Sequence, residues 1–220
     1  MTMVSRNPID QPPRTSFLLV RHGQTEWNTA RRFLGRTDIP LDPQGHRQAA
    51  QVARLLSQHP VNQIVTSPLQ RASQTASAIA AYHPSVSMQQ DDAWMEILQG
   101  ELEGTYGKDF QRLFPEFYRA WRSNPATAQI PGGETLRQCQ ERAVTALQGL
   151  ATSHPLGSSM IVVTHKMLLS SLFCALLDLP LKHYSLIDQV NTAVNLVSWD
   201  GKRFHVEFVN QGFHLGLWEQ

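Results

Sequence analysis

A repeated order of patterns limits what this chain can fold into: a short apolar run, a break, then a long helical stretch. The runs are SFLLV (16–20), NQIVT (62–66) and MIVVT (160–164). Behind the first comes LDPQGHRQAAQVARLLSQ (41–58), where Asp42 is placed to cap a helix and Pro43 to occupy its first position. Ala49, Val52, Ala53 and Leu56 recur there at helical spacing and give one buried face. LQRASQTASAIAAY (69–82) follows the second run, with Ser67-Pro68 at its start, and KMLLSSLFCALL (166–177) follows the third. Between them, ETLRQCQERAVTALQGLATSH (134–154) is a further long helix, striped by Leu136, Cys139, Ala143, Leu147 and Leu150. Strands alternating with helices predict an α/β fold, a three-layer sandwich whose mostly parallel sheet is flanked by helices. NLVSW (195–199) and FHVEFV (204–209) are expected to close the chain as a hairpin around Asp200-Gly201.

The opening MTMVSRNPIDQPPRTS is Pro-rich and polar, without the apolar stretch of a signal peptide. Residues 1–15 are expected to be a flexible tail and 16–220 a single domain. Segment 105–130 is the least sheet-like, and its DFQRLFPEFYRAW pattern predicts a small helical lid broken at Pro115. With 19 basic and 18 acidic residues the net charge is +1, which predicts neither a nucleic-acid nor a membrane partner and makes any electropositive site a local one. No apolar run approaches the ~18–20 residues a bilayer span needs. Cys139 and Cys174 fall in apolar helical patterns and are expected to be reduced core thiols. A reducing cytoplasm is the expected location, and no oligomeric state is implied.

The unusual residues fall at the ends of the apolar runs. Arg21 and His22 follow the first, Arg71 lies in the first helical turn after the second, and His165 follows the third. Ligands of open α/β sheets bind beyond the carboxyl ends of parallel strands, where helix N-termini also arrive. Two arginines and two histidines delivered to one edge predict an anion site, with phosphate as the ligand. Zinc is disfavoured, because two arginines would repel a divalent cation and no HExxH spacing exists. Both cysteines sit mid-helix rather than at the head of an anion loop. GTYGKD (104–109) fails the P-loop pattern, and no Gly-x-Ser-x-Gly elbow occurs. Histidine is left as the nucleophile.

These blocks resemble the histidine phosphatase superfamily, also called phosphoglycerate-mutase-like. RHGQT (21–25), continued by Asn28 and FLGRTDIPLDPQG (33–45), is similar to the family signature. TSPLQRASQTA (66–76) resembles the block with the second phosphate arginine, and MEILQGELEG (95–104) the acidic block with the proton donor. PGGET (131–135) and VVTHK (162–166) complete the series, and Lys166 departs from the small residue many members carry there. The resemblance implies a phosphomonoester hydrolase of small phosphorylated metabolites, working through a phosphohistidine without metal or cofactor. The alternatives are a cofactor-dependent phosphoglycerate mutase and a non-catalytic phospholigand-binding module.

On this reading His22 is the nucleophile, Arg21 and Arg71 grip phosphate, and His165 neutralises its oxygens. Glu96, the first glutamate of the acidic block, is the implied proton donor, with Glu103 as rival and Glu101 weaker. Gln24, Thr25 and Asn28 are candidates for the phosphate cradle, or for capping the helix that follows. Trp27, Lys166 and Tyr106 are candidates for the substrate pocket, drawn for the aromatics from a wider set with Phe33, Trp94, Phe110, Tyr118 and Trp121. Lys166 stands at a helix N-terminus against the macrodipole, which an anionic substrate group would offset.

Overall fold

The computed structural model describes residues 13–216, so most of the expected tail (1–12) and the last four residues lie outside the described residues. Six strands form one sheet: β1 (Thr15–Arg21), β2 (Gln63–Thr66), β3 (Ser87–Gln90), β4 (Ser159–Thr164), β5 (Val194–Trp199) and β6 (Phe204–Gln211). Their order is β3-β2-β4-β1-β5-β6. The first three pairings in that order are parallel, and β1–β5 and β5–β6 are antiparallel. Strand β1 starts at the buried Thr15, one residue before the apolar run.

Alternate side chains of the central strands feed two cores. Phe17, Leu19, Met160 and Val162 pack on one face against α6 (Leu136–Ser153) and α7 (Lys166–Leu176). Leu18, Val20, Ile64, Ile161 and Val163 pack on the other against α2 (Pro43–Leu56) and α3 (Gln70–Ala80). Both faces of β4 are covered, and all six of its residues are buried, as a central parallel strand requires. Asp42 accepts a hydrogen bond from the Gly45 N–H at 2.7 Å and so caps α2. The β5–β6 hairpin turns at Gly201 (φ 94°), with Asp200 accepting from the Lys202 and Arg203 N–H groups.

Two features were not anticipated. Strand β3 was missed because SMQQ is exposed at all four positions and offers no apolar alternation. The hairpin also carries register shifts on both sides of Leu196. In segment 105–130 the helices α4 (Phe110–Leu113) and α5 (Pro115–Ser123) meet at Phe114, and Pro115 is the first residue of α5 rather than an interruption within a helix. Among the described residues no helix is long and apolar enough to cross a membrane.

The strand register sets the level of the carboxyl edge. Arg21 lies opposite Thr164, and Thr66 opposite Val163. The chain leaves all three strands together, with the His22 N–H donating to the Thr164 carbonyl (2.9 Å) and the Ser67 N–H to that of Val163 (3.0 Å). The loop after β1 must then pass α2 at van der Waals distance. A Cβ on Gly45 would stand 2.0 Å from the Gln24 carbonyl oxygen, and one on Gly23 would stand 2.6 Å from the Gly45 oxygen. Helix propensity alone favours Gly45→Ala by about 0.8–1 kcal/mol. The backbone clash reverses the sign, and the variant is expected to lose roughly 1–3 kcal/mol, measured as a lower urea midpoint.

Candidate active site

The side chain of His22 is almost fully buried, and its Nδ1 lies 2.6 Å from the carbonyl oxygen of Gly23. A carbonyl can only accept, so Nδ1 carries the proton and the neutral ring presents a lone pair at Nε2. His165, wholly buried at the N-cap of α7, holds Ser67 Oγ at 2.8 Å through Nε2, while its Nδ1 has no partner. The two ring centroids are 5.1 Å apart. Burial, with Arg71 second, holds both imidazoles well below the usual histidine range.

Arg21 ends β1 and donates through Nη1 to the Gln189 carbonyl at 2.6 Å. Arg71, in the first turn of α3, donates to the carbonyls of Gly35 (2.6 Å) and Thr37 (3.0 Å). The Nε of each is buried without a partner. Burial lowers both guanidiniums to about 10, which leaves them charged at neutral pH. Three buried polar atoms, two Nε–H donors and His165 Nδ1, are thus unsatisfied around His22, and a buried group of this kind costs stability unless a ligand meets it.

Glu96 supplies the one buried carboxylate among the described residues. Its Oε1 accepts from the N–H groups of Ile97 (2.9 Å) and Leu168 (3.1 Å), and its Oε2 from Met167 (3.1 Å). Burial raises its pKa against the opposing pull of these N–H groups and Arg71. Glu103 is committed elsewhere: it accepts from the backbone N–H groups of Arg36 (2.8 Å) and Thr37 (2.6 Å) and from the Thr37 hydroxyl. It thereby anchors the loop whose carbonyls hold Arg71. Glu101 is exposed.

Several of the anticipated residues are bound to the protein itself. Thr25 and Asn28 form a capping box on α1 (Glu26–Thr29), and Gln24 Nε2 donates to Asp42 at 2.9 Å. Lys166 is exposed and pairs with Asp188 at 2.5 Å, so a protein carboxylate offsets the cost of its position. Trp27 and Tyr106 flank the Arg32 guanidinium, 5.8 and 4.6 Å from the two ring centroids, and neither belongs to the aromatic cavity walled by Phe117, Met167 and Tyr184. Trp94 is wholly buried core. Phe33, Phe110 and Trp121 do line that cavity.

A supporting group went unnoticed in the sequence. Asn195 donates to the Leu19 carbonyl and to Gln189 Oε1, each at 2.9 Å, and its Oδ1 accepts from Gln189 Nε2 and the Asn210 N–H. This buried clasp fixes the Gln189 carbonyl that takes Arg21. Next to it, Asn191 Nδ2 and the Thr192 N–H each donate to the His22 carbonyl at 3.2 Å. Neutral Asn and Gln near the chain end carry no sequence signal of such a role.

Fold and site together define an α/β protein with a histidine and paired arginines at the carboxyl edge of a parallel sheet. The profile of the histidine phosphatase superfamily (branch 1) matches residues 17–212. The chain belongs to that family. It is 32% identical over 201 residues to phosphoglycerate mutase-like protein 4 of Arabidopsis thaliana, covering 90% of this chain and 86% of that protein. It is also 32% identical to the metal-independent phosphoserine phosphatase of the same plant, covering 91% of this chain and 83% of that one. The solved structure of YhfR from Bacillus stearothermophilus superposes with a TM-score of 0.85 at 30% identity, covering 91% of this chain and 99% of its own.

Because both site histidines titrate below their unfolded value, near 6.5, the unfolded chain binds more protons as the pH falls. Their contribution to stability is complete above pH ~6.5 and is lost as the pH drops towards their folded values. The unfolding free energy is expected to decline from pH 7.5 to 5.5, and His165→Gln should make that decline shallower. Urea titrations at the two pH values measure both slopes.

Proposed function

We propose that the chain is a metal-independent phosphomonoester hydrolase acting through a phosphohistidine on Nε2 of His22. The observation that carries this reading is the His22 Nδ1–Gly23 bond, which aims an unprotonated nitrogen at a site lined by unsatisfied buried donors. Arg21 and Arg71 bind the phosphate oxygens through their free Nε–H edges, and His165 Nδ1 donates a third bond. His22 Nε2 attacks phosphorus while the bond to the leaving oxygen breaks. Glu96 gives that oxygen a proton from Oε2, which accepts one backbone bond where Oε1 accepts two. Glu96 then takes a proton from the water that attacks the phosphohistidine. The P–N bond breaks, its electron pair returns to Nε2, and inorganic phosphate leaves.

A relative named as a metal-independent phosphoserine phosphatase supports hydrolysis. The mutase alternative draws less support, because a mutase needs charged grips on the far end of its substrate and a closed site. Here the inward side chains of α4 and α5, Phe110, Phe117 and Trp121, are apolar. We read α4 and α5 as the lid of the site and residues 16–220 as one catalytic domain. Two buried, unpaired cysteines favour a reducing cytoplasm.

His22→Ala is expected to abolish turnover, and with it the rapid, acid-labile and base-stable labelling of the protein by a ³²P-phosphomonoester. Labelling that survives the substitution would remove His22 from the nucleophile's role. For Glu96→Gln, single-turnover phosphorylation by alkyl phosphates should slow by roughly 10²–10⁴-fold. The loss with p-nitrophenyl phosphate should be far smaller, because nitrophenolate leaves without a proton. Equal losses on both would show that the substitution acts by replacing the Oε2 acceptor of the Met167 N–H with an amide donor rather than by removing the proton.

A further inference from the structure

Against Met167, whose backbone N–H binds Glu96, lies a narrow cavity of about 60 Å³, walled by five aromatic side chains: Phe33, Phe110, Phe117, Trp121 and Tyr184. Three wall residues are tied to the groups that would perform the chemistry. Met167 donates its backbone N–H to Glu96 Oε2, and Gln99 follows Glu96 by three residues. Phe33 lies two residues before Gly35, whose carbonyl holds Arg71. The cavity therefore shares Met167 with the proposed proton donor, one residue from the carboxyl that would protonate a leaving group.

None of the nine lining residues is charged. Trp121 Nε1 donates to Tyr184 Oη at 3.1 Å, so these two polar tips meet each other. Gln99 is 4% exposed, and its Nε2 donates only to the thioether sulfur of Met167, a weak acceptor. A separate groove contains Arg122, Lys182 and His183, but it shares only Trp121 and Tyr184 with the cavity.

We propose that this cavity is the leaving-group subsite, and that the preferred substrate is the phosphate ester of an uncharged alcohol with a small branched or cyclic hydrocarbon body. The proposal rests on the phosphatase reading. A hydrocarbon body gains by leaving water for the aromatic walls. A carboxylate or ammonium on the alcohol would be desolvated there without a partner. Gln99 Nε2 gains a stronger acceptor if the alcohol carries one ether or hydroxyl oxygen.

The experiment measures kcat/KM for benzyl phosphate, isobutyl phosphate, O-phosphoserine and 3-phosphoglycerate. The two uncharged esters should exceed the two charged ones by about tenfold or more, the scale on which apolar pockets discriminate. Trp121→Arg, which brings a cation to the cavity, should cut the ratio of benzyl phosphate to 3-phosphoglycerate by about tenfold. Phe110→Ala, which enlarges the cavity, should raise kcat/KM for naphthylmethyl phosphate relative to benzyl phosphate, and keeps the test open if the first variant does not fold. O-phosphoserine matching or exceeding benzyl phosphate in the unmodified protein would overturn the subsite, as would ratios unmoved in a folded variant. Phosphate released from none of the four esters by the folded protein would overturn the phosphatase reading itself, and the subsite with it.

Discussion

Arg21 and Arg71 are both buried within reach of a single buried carboxylate, Glu96, and most of their hydrogen bonds go to backbone carbonyls. Carbonyls satisfy guanidinium donors without neutralising their charge, so the edge of the sheet keeps a positive field in a desolvated setting. Groups respond according to how readily each can give up its charge. The arginines stay charged even when lowered to about 10, whereas the histidines are driven to the neutral form. That division gives one site both paired cations and an unprotonated ring nitrogen on His22. Each charge-assisted bond to a phosphate oxygen is worth about 1.5–3 kcal/mol net, enough to offset much of the cost of desolvating the donors.

The rest of the structure holds that arrangement in place. Aligned strand ends bring His22, Ser67 and His165 to one level, and the Gly23–Gly45 approach presses the loop after His22 onto α2. Behind Arg71, the loop at 35–37 is anchored by Glu103, while Arg36 and Arg142 both bind Glu134. Behind Arg21, the Asn195–Gln189 clasp sits where β5 and β6 slip out of register, and Asn210, at φ 57°, donates its N–H to Asn195 there. A hairpin that would otherwise be a plain edge thereby becomes the support of Arg21 and His22.

Much of this was legible in the sequence, for local reasons. The apolar runs and striped helices have periods that only one class of secondary structure fits, and the cap at Asp42-Pro43 follows from side-chain chemistry alone. Arg21, His22, Arg71 and His165 could be placed at one edge because that edge follows from strand direction. What depends on contacts between distant residues was not legible. Glu96 and Glu103 sit in one short block, and only the partners at Thr37 and Met167 separate their environments. The capping alternative foreseen for Thr25 and Asn28 is the one their hydrogen bonds follow. Trp27 and Tyr106, pocket candidates by residue type, flank Arg32, whereas Phe117 and Tyr184 reach the aromatic cavity through contacts their sequence does not record. Strand β3 exists because β2 offers it hydrogen bonds, a cause its own residues do not record.

One helix end links the two proton-bearing groups. His165 caps α7, and the next free N–H groups, those of Met167 and Leu168, are taken by Glu96. Those bonds and the cation at Arg71 favour the carboxylate, burial favours the acid, and burial prevails. A phosphate dianion entering the site would add negative charge beside both Glu96 and His165. Its field raises the pKa of each, holding the proton on Glu96 and drawing one onto His165. In the reaction we propose, substrate binding would thus load Glu96 as the acid and add His165 as a third cation beside the two arginines. Once the leaving alcohol and the phosphate depart, the same field disappears and both groups return to their resting states. In this account the resting site needs no preformed charge on His165, only a cavity dry enough for the dianion's field to reach it.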